Sequence, residues 1–91
     1  MYAIVVREAG EPAAIAGSGA HIEANVVPAV RRAPGIVSAV YMTDGTGKAL
    51  SVFVFETEEA ARATIERIRT APRPEFIHVE TVEPWQVLAR F

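Results

Sequence analysis

The sequence predicts an α+β domain of order strand, helix, strand, strand, helix, strand, with its four strands in one antiparallel sheet. Three observations predict it. Short runs rich in β-branched and aromatic residues lie near both ends of the chain and twice in its middle. Two intervening segments carry apolar residues at helical spacing. An Asp-Gly turn with a second glycine joins the two middle runs and makes them an antiparallel hairpin. The 91 residues make one domain, residues 1–91.

Each element has its own local reason. "YAIVVRE", residues 2–8, is short and β-branched, which suits a strand. Pro12 as a first-turn residue, or Ser18 as a cap, opens the first helix, whose stripe is Ile22, Val26, Val30 and Ala33. Pro28 lacks an amide donor and its ring meets the carbonyl of Ala24, so a kink, or a break with Pro28 restarting the helix, is expected. Pro34 and Gly35 stop it. "IVSAVYM" and "ALSVFVF" are the middle strands, joined through "TDGTGK". Thr57 caps the second helix, Glu58 and Glu59 fill its first turn, and Ala61, Ile65 and Ile68 form its buried stripe. Glu58–Arg62 and Arg62–Glu66 stand one turn apart on its outer face. Pro72 and Pro74 end it. "EFIHVETVE" is polar enough for an edge strand, Pro84 is expected to interrupt it, and the tail "WQVLARF" is too apolar to stand in water. This order is the split pattern of ferredoxin-like βαββαβ folds, with strands one and three central.

The middle strands are apolar on both faces. Strand three alternates Leu50, Val52 and Val54 with Ala49, Phe53 and Phe55, and strand two alternates Ile36, Val40 and Met42 with Val37, Ala39 and Tyr41. Two helices cover one side of a four-stranded sheet, and a water-facing second side would be polar. Each Val, Leu or Phe buried there contributes about 1.5–3 kcal/mol. A homodimer through the open sheet face is the simplest cover.

Composition excludes several function classes. There is no cysteine, hence no disulfide, thiolate metal site or thiol nucleophile. The formal net charge is −2, without a basic block, so no nucleic-acid partner is expected. No apolar stretch approaches the roughly 20 residues that span a bilayer, and no basic leader precedes one, so no membrane partner and a cytoplasmic location are expected. "GSG" at residues 17–19 lacks the rest of a phosphate loop, and Ser18, Ser38 and Ser51 lack the glycine-flanked elbow of an acyl-transfer serine.

"MYAIVVRE", "VVPAVRRAPGIVSAVYMTD", "GKALSVFVFETEEAARA" and "VETVEPWQVLA" together resemble the dimeric α/β-barrel superfamily, and within it the antibiotic biosynthesis monooxygenase group. The resemblance implies two protomers packed sheet to sheet, each with a pocket between sheet and helices. It also implies cofactor-free oxidation of polyphenols, haem degradation, lactone isomerisation or no assigned activity, according to the member. Haem-degrading members place an Asn on the first strand, a Trp on the third and a His on the second helix. Here the only Asn is Asn25, the only Trp is Trp85, and neither His21 nor His78 falls on the second helix. The chain departs from that set.

His21 and Asn25 stand one turn apart and are the candidate catalytic pair, one to take a phenolic proton and one to polarise a carbonyl. Their bland reading is a solvated or capping pair. Tyr2, Tyr41, His78 and Trp85 are candidate pocket or ligand residues, with core, interface or solvated edge positions as the alternatives. Two histidines without close spacing make no metal set. The sequence thus points to a protein that binds a small aromatic or polyketide-like molecule, with cofactor-independent monooxygenation as its chemistry. A non-catalytic ligand-binding or assembly module is the alternative.

Overall fold

The computed structural model describes residues 1–91. The elements are β1 (Tyr2–Gly10), α1 (Pro12–Ala16), α2 (residues 19–30), β2 (Ile36–Thr43), β3 (Lys48–Phe55), α3 (Glu58–Thr70) and β4 (Ile77–Gln86). One sheet runs in the order β2-β3-β1-β4, antiparallel throughout, so β1 and β3 are central as the sequence predicts. This is the ferredoxin-like α+β architecture. No helix is long and apolar enough to cross a membrane.

Of the two openings expected for the first helical segment, Pro12 serves and Ser18 makes no capping bond. Glu11 caps α1, its carboxylate accepting from the amides of Ala13 and Ala14 at 3.2 and 2.6 Å, and Pro12 sits in the first turn. Ser18 stands at the cap position of α2 but its hydroxyl donates back to the Ile15 carbonyl at 2.7 Å. Pro28 does not break the helical run over residues 19–30. The helix widens into a π stretch over Ile22–Val26, where the Val27 amide reaches the Ile22 carbonyl, and Pro28 lies in the first turn of the α segment Val27–Val30. A wider turn moves the preceding carbonyls away from the ring that would strike them.

The corner after α2 turns on Gly35, whose φ is +77° and where an added Cβ would stand 2.8 Å from that of Ala60. The glycine therefore serves both the turn and the close approach of α3. Thr57 caps α3, accepting from the Ala60 amide at 3.1 Å. On its outer face Arg62 pairs with Glu58 at 2.7 Å, while Glu66 pairs with Arg69 rather than with Arg62. Arg62 is already turned toward Glu58 and the ring of Tyr2, 5.9 Å from its centroid.

Cross-strand register sorts the residues by face. Ile4, Phe53 and Ala39 share the helix side, with Ile4, Val6, Phe53, Phe55 and Ala61 forming the core. Val5, Val52 and Val40 share the open side. Ile36 departs from its expected face. A bulge between Ile36 and Ser38 sets it opposite Phe55 and packs it against the core, because the extra residue reverses the alternation. Pro84 does not interrupt the last strand either: it stands opposite Ile4, and β4 continues to Gln86. An edge strand has an outward side on which a missing amide costs no ladder bond. The tail beyond it is bonded to Met1 but leaves its large apolar side chains uncovered. The Val87 amide bonds the Met1 carbonyl at 3.0 Å, while Leu88 and Phe91 project fully into solvent.

Candidate functional site

A cavity of about 660 Å³ lies between the helix side of the sheet and the helices. Its origin is the unequal packing of the two helical layers. α3 packs on β1, β3 and β4, whereas α2 stands off the sheet and buries none of its residues fully. Of the stripe Ile22, Val26, Val30 and Ala33 that the sequence assigns to the core, Val30 and Ala33 do pack against it, and all four line this space with Phe53 and Phe55. A mostly apolar hollow with a few polar groups is the usual form of a small-molecule site.

Its polar groups come from four directions. Glu8 stands in the inward row of β1 after Ile4 and Val6, and it is the one carboxylate on the wall. Its Oε2 accepts from Arg73 Nε at 2.6 Å, and the two side chains are 12 % and 19 % exposed. Arg73, between Pro72 and Pro74, also donates from Nη1 to the Ala71 carbonyl at 3.0 Å. Tyr41 enters from β2, its ring edge-on to Phe53 with centroids 5.7 Å apart. Its hydroxyl is buried without a hydrogen-bond partner, and burial first, then the Glu8 charge, pushes its pKa up. The phenol thus stays neutral and keeps a proton to donate.

His21 and Asn25 meet on the α2 side of the cavity. Asn25 Nδ2 lies 3.2 Å from the His21 carbonyl and 3.1 Å from His21 Nδ1. Because Nδ2 donates to the carbonyl, the same amino group donates to Nδ1, which then carries no hydrogen. The ring hydrogen sits on Nε2, so this histidine offers the cavity a donor. Both residues are exposed.

The other candidates lie elsewhere. Tyr2 packs against the core beneath Arg62 and does not line the cavity. His78 pairs with Ala9 and Trp85 with Ala3, both on the open face. There Trp85 Nε1 donates to Glu83 at 3.1 Å, and Arg7 bonds the same carboxylate at 3.1 Å. The Thr81 hydroxyl first, then the Trp85 indole, lowers the pKa of Glu83. Val40, Met42 and Trp85 are half-exposed on this face, beside Val5, Val52 and Val54. Glu8, Arg73 and Arg67 are cavity residues that the sequence reading did not single out. The period of two in β1 signals Glu8, since it follows Ile4 and Val6 inward; nothing local signals the arginines.

No three His, Cys, Asp or Glu side chains gather where they could hold a metal ion. A haem would meet one histidine here, His21, exposed on the α2 side with Nδ1 engaged by Asn25, and α3 carries none.

The chain thus has a ferredoxin-like α+β fold with a cavity between its sheet and its helices. Solved structures share this fold over nine-tenths or so of their length or more. MhuD, a haem-degrader from Mycobacterium tuberculosis solved with two haems in its active site, is 16 % identical with a TM-score of 0.61, over 100 % of this chain and 99 % of that one. A monooxygenase from the gene ActVA-Orf6 of Streptomyces coelicolor, in complex with nanaomycin D, is 17 % identical with a TM-score of 0.64, over 99 % and 89 %. A protein of unknown function from Nitrosomonas europaea is 18 % identical with a TM-score of 0.61, over 99 % and 91 %. No protein-family model and no curated protein sequence matches the chain.

Proposed function

We propose that this chain binds a small aromatic or polyketide-like molecule in the cavity between sheet and helices, and oxidises it with dioxygen without a cofactor. The observation that carries this is the 660 Å³ cavity, mostly apolar and furnished with Tyr41, Glu8, Arg73, His21 and Asn25. Flat apolar ligands fit such walls, and the polar groups orient them. The likeness in fold to a monooxygenase that binds nanaomycin D supports the same reading. In the reaction a ring methylene becomes a carbonyl: one oxygen atom of dioxygen enters the product, and the other leaves as water with the two methylene hydrogens. His21 Nε2–H polarises the ligand carbonyl, and Asn25, whose two amide hydrogens both go to His21, holds the ring in that tautomer. Tyr2, His78 and Trp85 act outside this cavity, as packing and seam residues.

The protein works as a homodimer through its open face, whose row of Val5, Val40, Val52 and Val54 is apolar where a solvated sheet would be polar. The absence of cysteine suits the reducing cytoplasm. Incubating the purified protein with anthrone- and hydroquinone-type substrates under oxygen tests the activity, with quinone formation above the uncatalysed rate expected. Binding without turnover would leave a non-catalytic ligand-binding module, which the mutual engagement of His21 and Asn25 favours. Neither binding nor turnover across the panel would remove the reading.

A further inference from the structure

The geometry points to Glu8 as the general base of the cavity: its Oε1 takes a proton from a ring methylene of the ligand that is conjugated through the aromatic rings with a ring carbonyl. This rests on reading the cavity as the site of an enolisable aromatic ligand.

Glu8 occupies an inward position of a central strand, with Val6 before it and Ala49 and Val79 beside it in register. Carboxylates seldom face an apolar interior unless they are paired or used. Glu8 is only half paired. Arg73 meets Oε2 through Nε alone, its Nη1 being directed to the Ala71 carbonyl, so the two-pronged contact that closes a structural Arg–carboxylate pair is not made. Oε1 has no hydrogen-bond partner and yet is not among the sealed, unpartnered atoms, of which Tyr41 Oη is the only one. Since the Glu8 side chain lines the cavity, the free oxygen opens onto it.

The other polar groups there cannot do this work. Tyr41 is held neutral, Arg67 and Arg73 are cations, and the His21 nitrogen that could accept is occupied by Asn25. Glu8 is the remaining acceptor of a proton. In the step, the ligand C–H bond breaks, its proton passes to Oε1, and its electron pair moves onto the carbonyl oxygen as an enolate. Arg73 keeps the carboxylate in place, and Arg67, which joins none of the ion pairs of the structure, offers the enolate a positive charge. The step needs no oxidant and is reversible, so in deuterium oxide it returns a deuteron.

The test is anaerobic exchange of the anthrone methylene in deuterium oxide, followed by proton NMR, with binding of anthraquinone, which has no such hydrogens, measured in parallel. The wild-type protein is expected to accelerate exchange. Glu8→Gln is expected to lose about 100-fold or more of the acceleration while still binding anthraquinone, and Glu8→Asp to keep part of it. Where Glu8→Gln alone unfolds, the double variant Glu8→Gln/Arg73→Gln replaces the ion pair by two amides and carries the same expectation. Exchange at the wild-type rate in either glutamine variant overturns the proposal. So does a wild-type protein that binds anthraquinone but exchanges anthrone no faster than buffer, a result that leaves the binding function standing. Failure to bind either compound removes both readings together.

Discussion

Replacing Val52 by aspartate puts a carboxylate at the middle of the open face, between Val5 and Val40 in the cross-strand register. Val52 is mostly covered within the protomer, so at most about a third of the 1.5–3 kcal/mol that a fully buried valine contributes, roughly 0.5–1 kcal/mol, is left for a partner to supply. Two-fold symmetry counts that loss twice. The same symmetry brings two carboxylates into one apolar seam, and several kcal/mol per ion is the usual cost of removing such a charge from water without a partner. Taking only about 4 kcal/mol in all, the dissociation constant rises about a thousandfold. Equilibrium sedimentation of Val52→Asp should then show a folded monomer at concentrations where the wild type is dimeric, with circular dichroism checking the fold. A variant that dimerises like the wild type, or a wild type that is itself monomeric at micromolar concentration, would refute the reasoning.

Other outcomes are expected from the same structure. Phe55→Ala empties a core position that is 1 % exposed and should cost about 3–5 kcal/mol of unfolding free energy in a urea titration. Thr57→Ala removes the cap of α3 and should cost about 1 kcal/mol by the same measurement. Tyr41→Phe deletes a buried hydroxyl that has no partner, so the ligand-free protein should be as stable as the wild type or more stable by about 1 kcal/mol. In the β2–β3 turn, Asp44 Oδ1 accepts from the amide and hydroxyl of Thr46, both at 2.8 Å, and the Thr46 amide first, then its hydroxyl, lowers the Asp44 pKa from its ordinary 3.8. A lowered folded value means stability that is present above the ordinary pKa and lost as pH falls through the lowered one. Acid titration of stability should therefore show the wild type losing its margin over Asp44→Ala only below that ordinary value.

Much of the architecture was legible in order and period. The hairpin was written in Asp44 and Gly45, the start of α3 in Thr57 and the two glutamates after it, and the corner in Pro34 and Gly35. These are local signals, in which a residue's own backbone preference decides the conformation. Pro28 showed the limit of such reasoning. Its missing amide guaranteed an irregular helix, but whether the chain kinks, breaks or widens depends on what the next layer allows. Ile36 and Pro84 were misplaced for a related reason: a bulge reverses the alternation of a strand, and an edge position excuses a proline, and neither is visible in the strand's own residues.

By itself the sequence determined the kinds and order of the elements, the central place of β1 and β3, and the apolar character of both sheet faces. Tertiary structure alone decided that α2 stands away from the sheet, that Arg73 arrives beside Glu8 from 65 residues further along, and that Tyr41 is left with a sealed hydroxyl. The physical reason is range. Periodicity and capping act over a few neighbouring residues, whereas a cavity is a difference between distances set by elements far apart in the chain, and a charge inside it takes its meaning from whichever group that packing brings within reach.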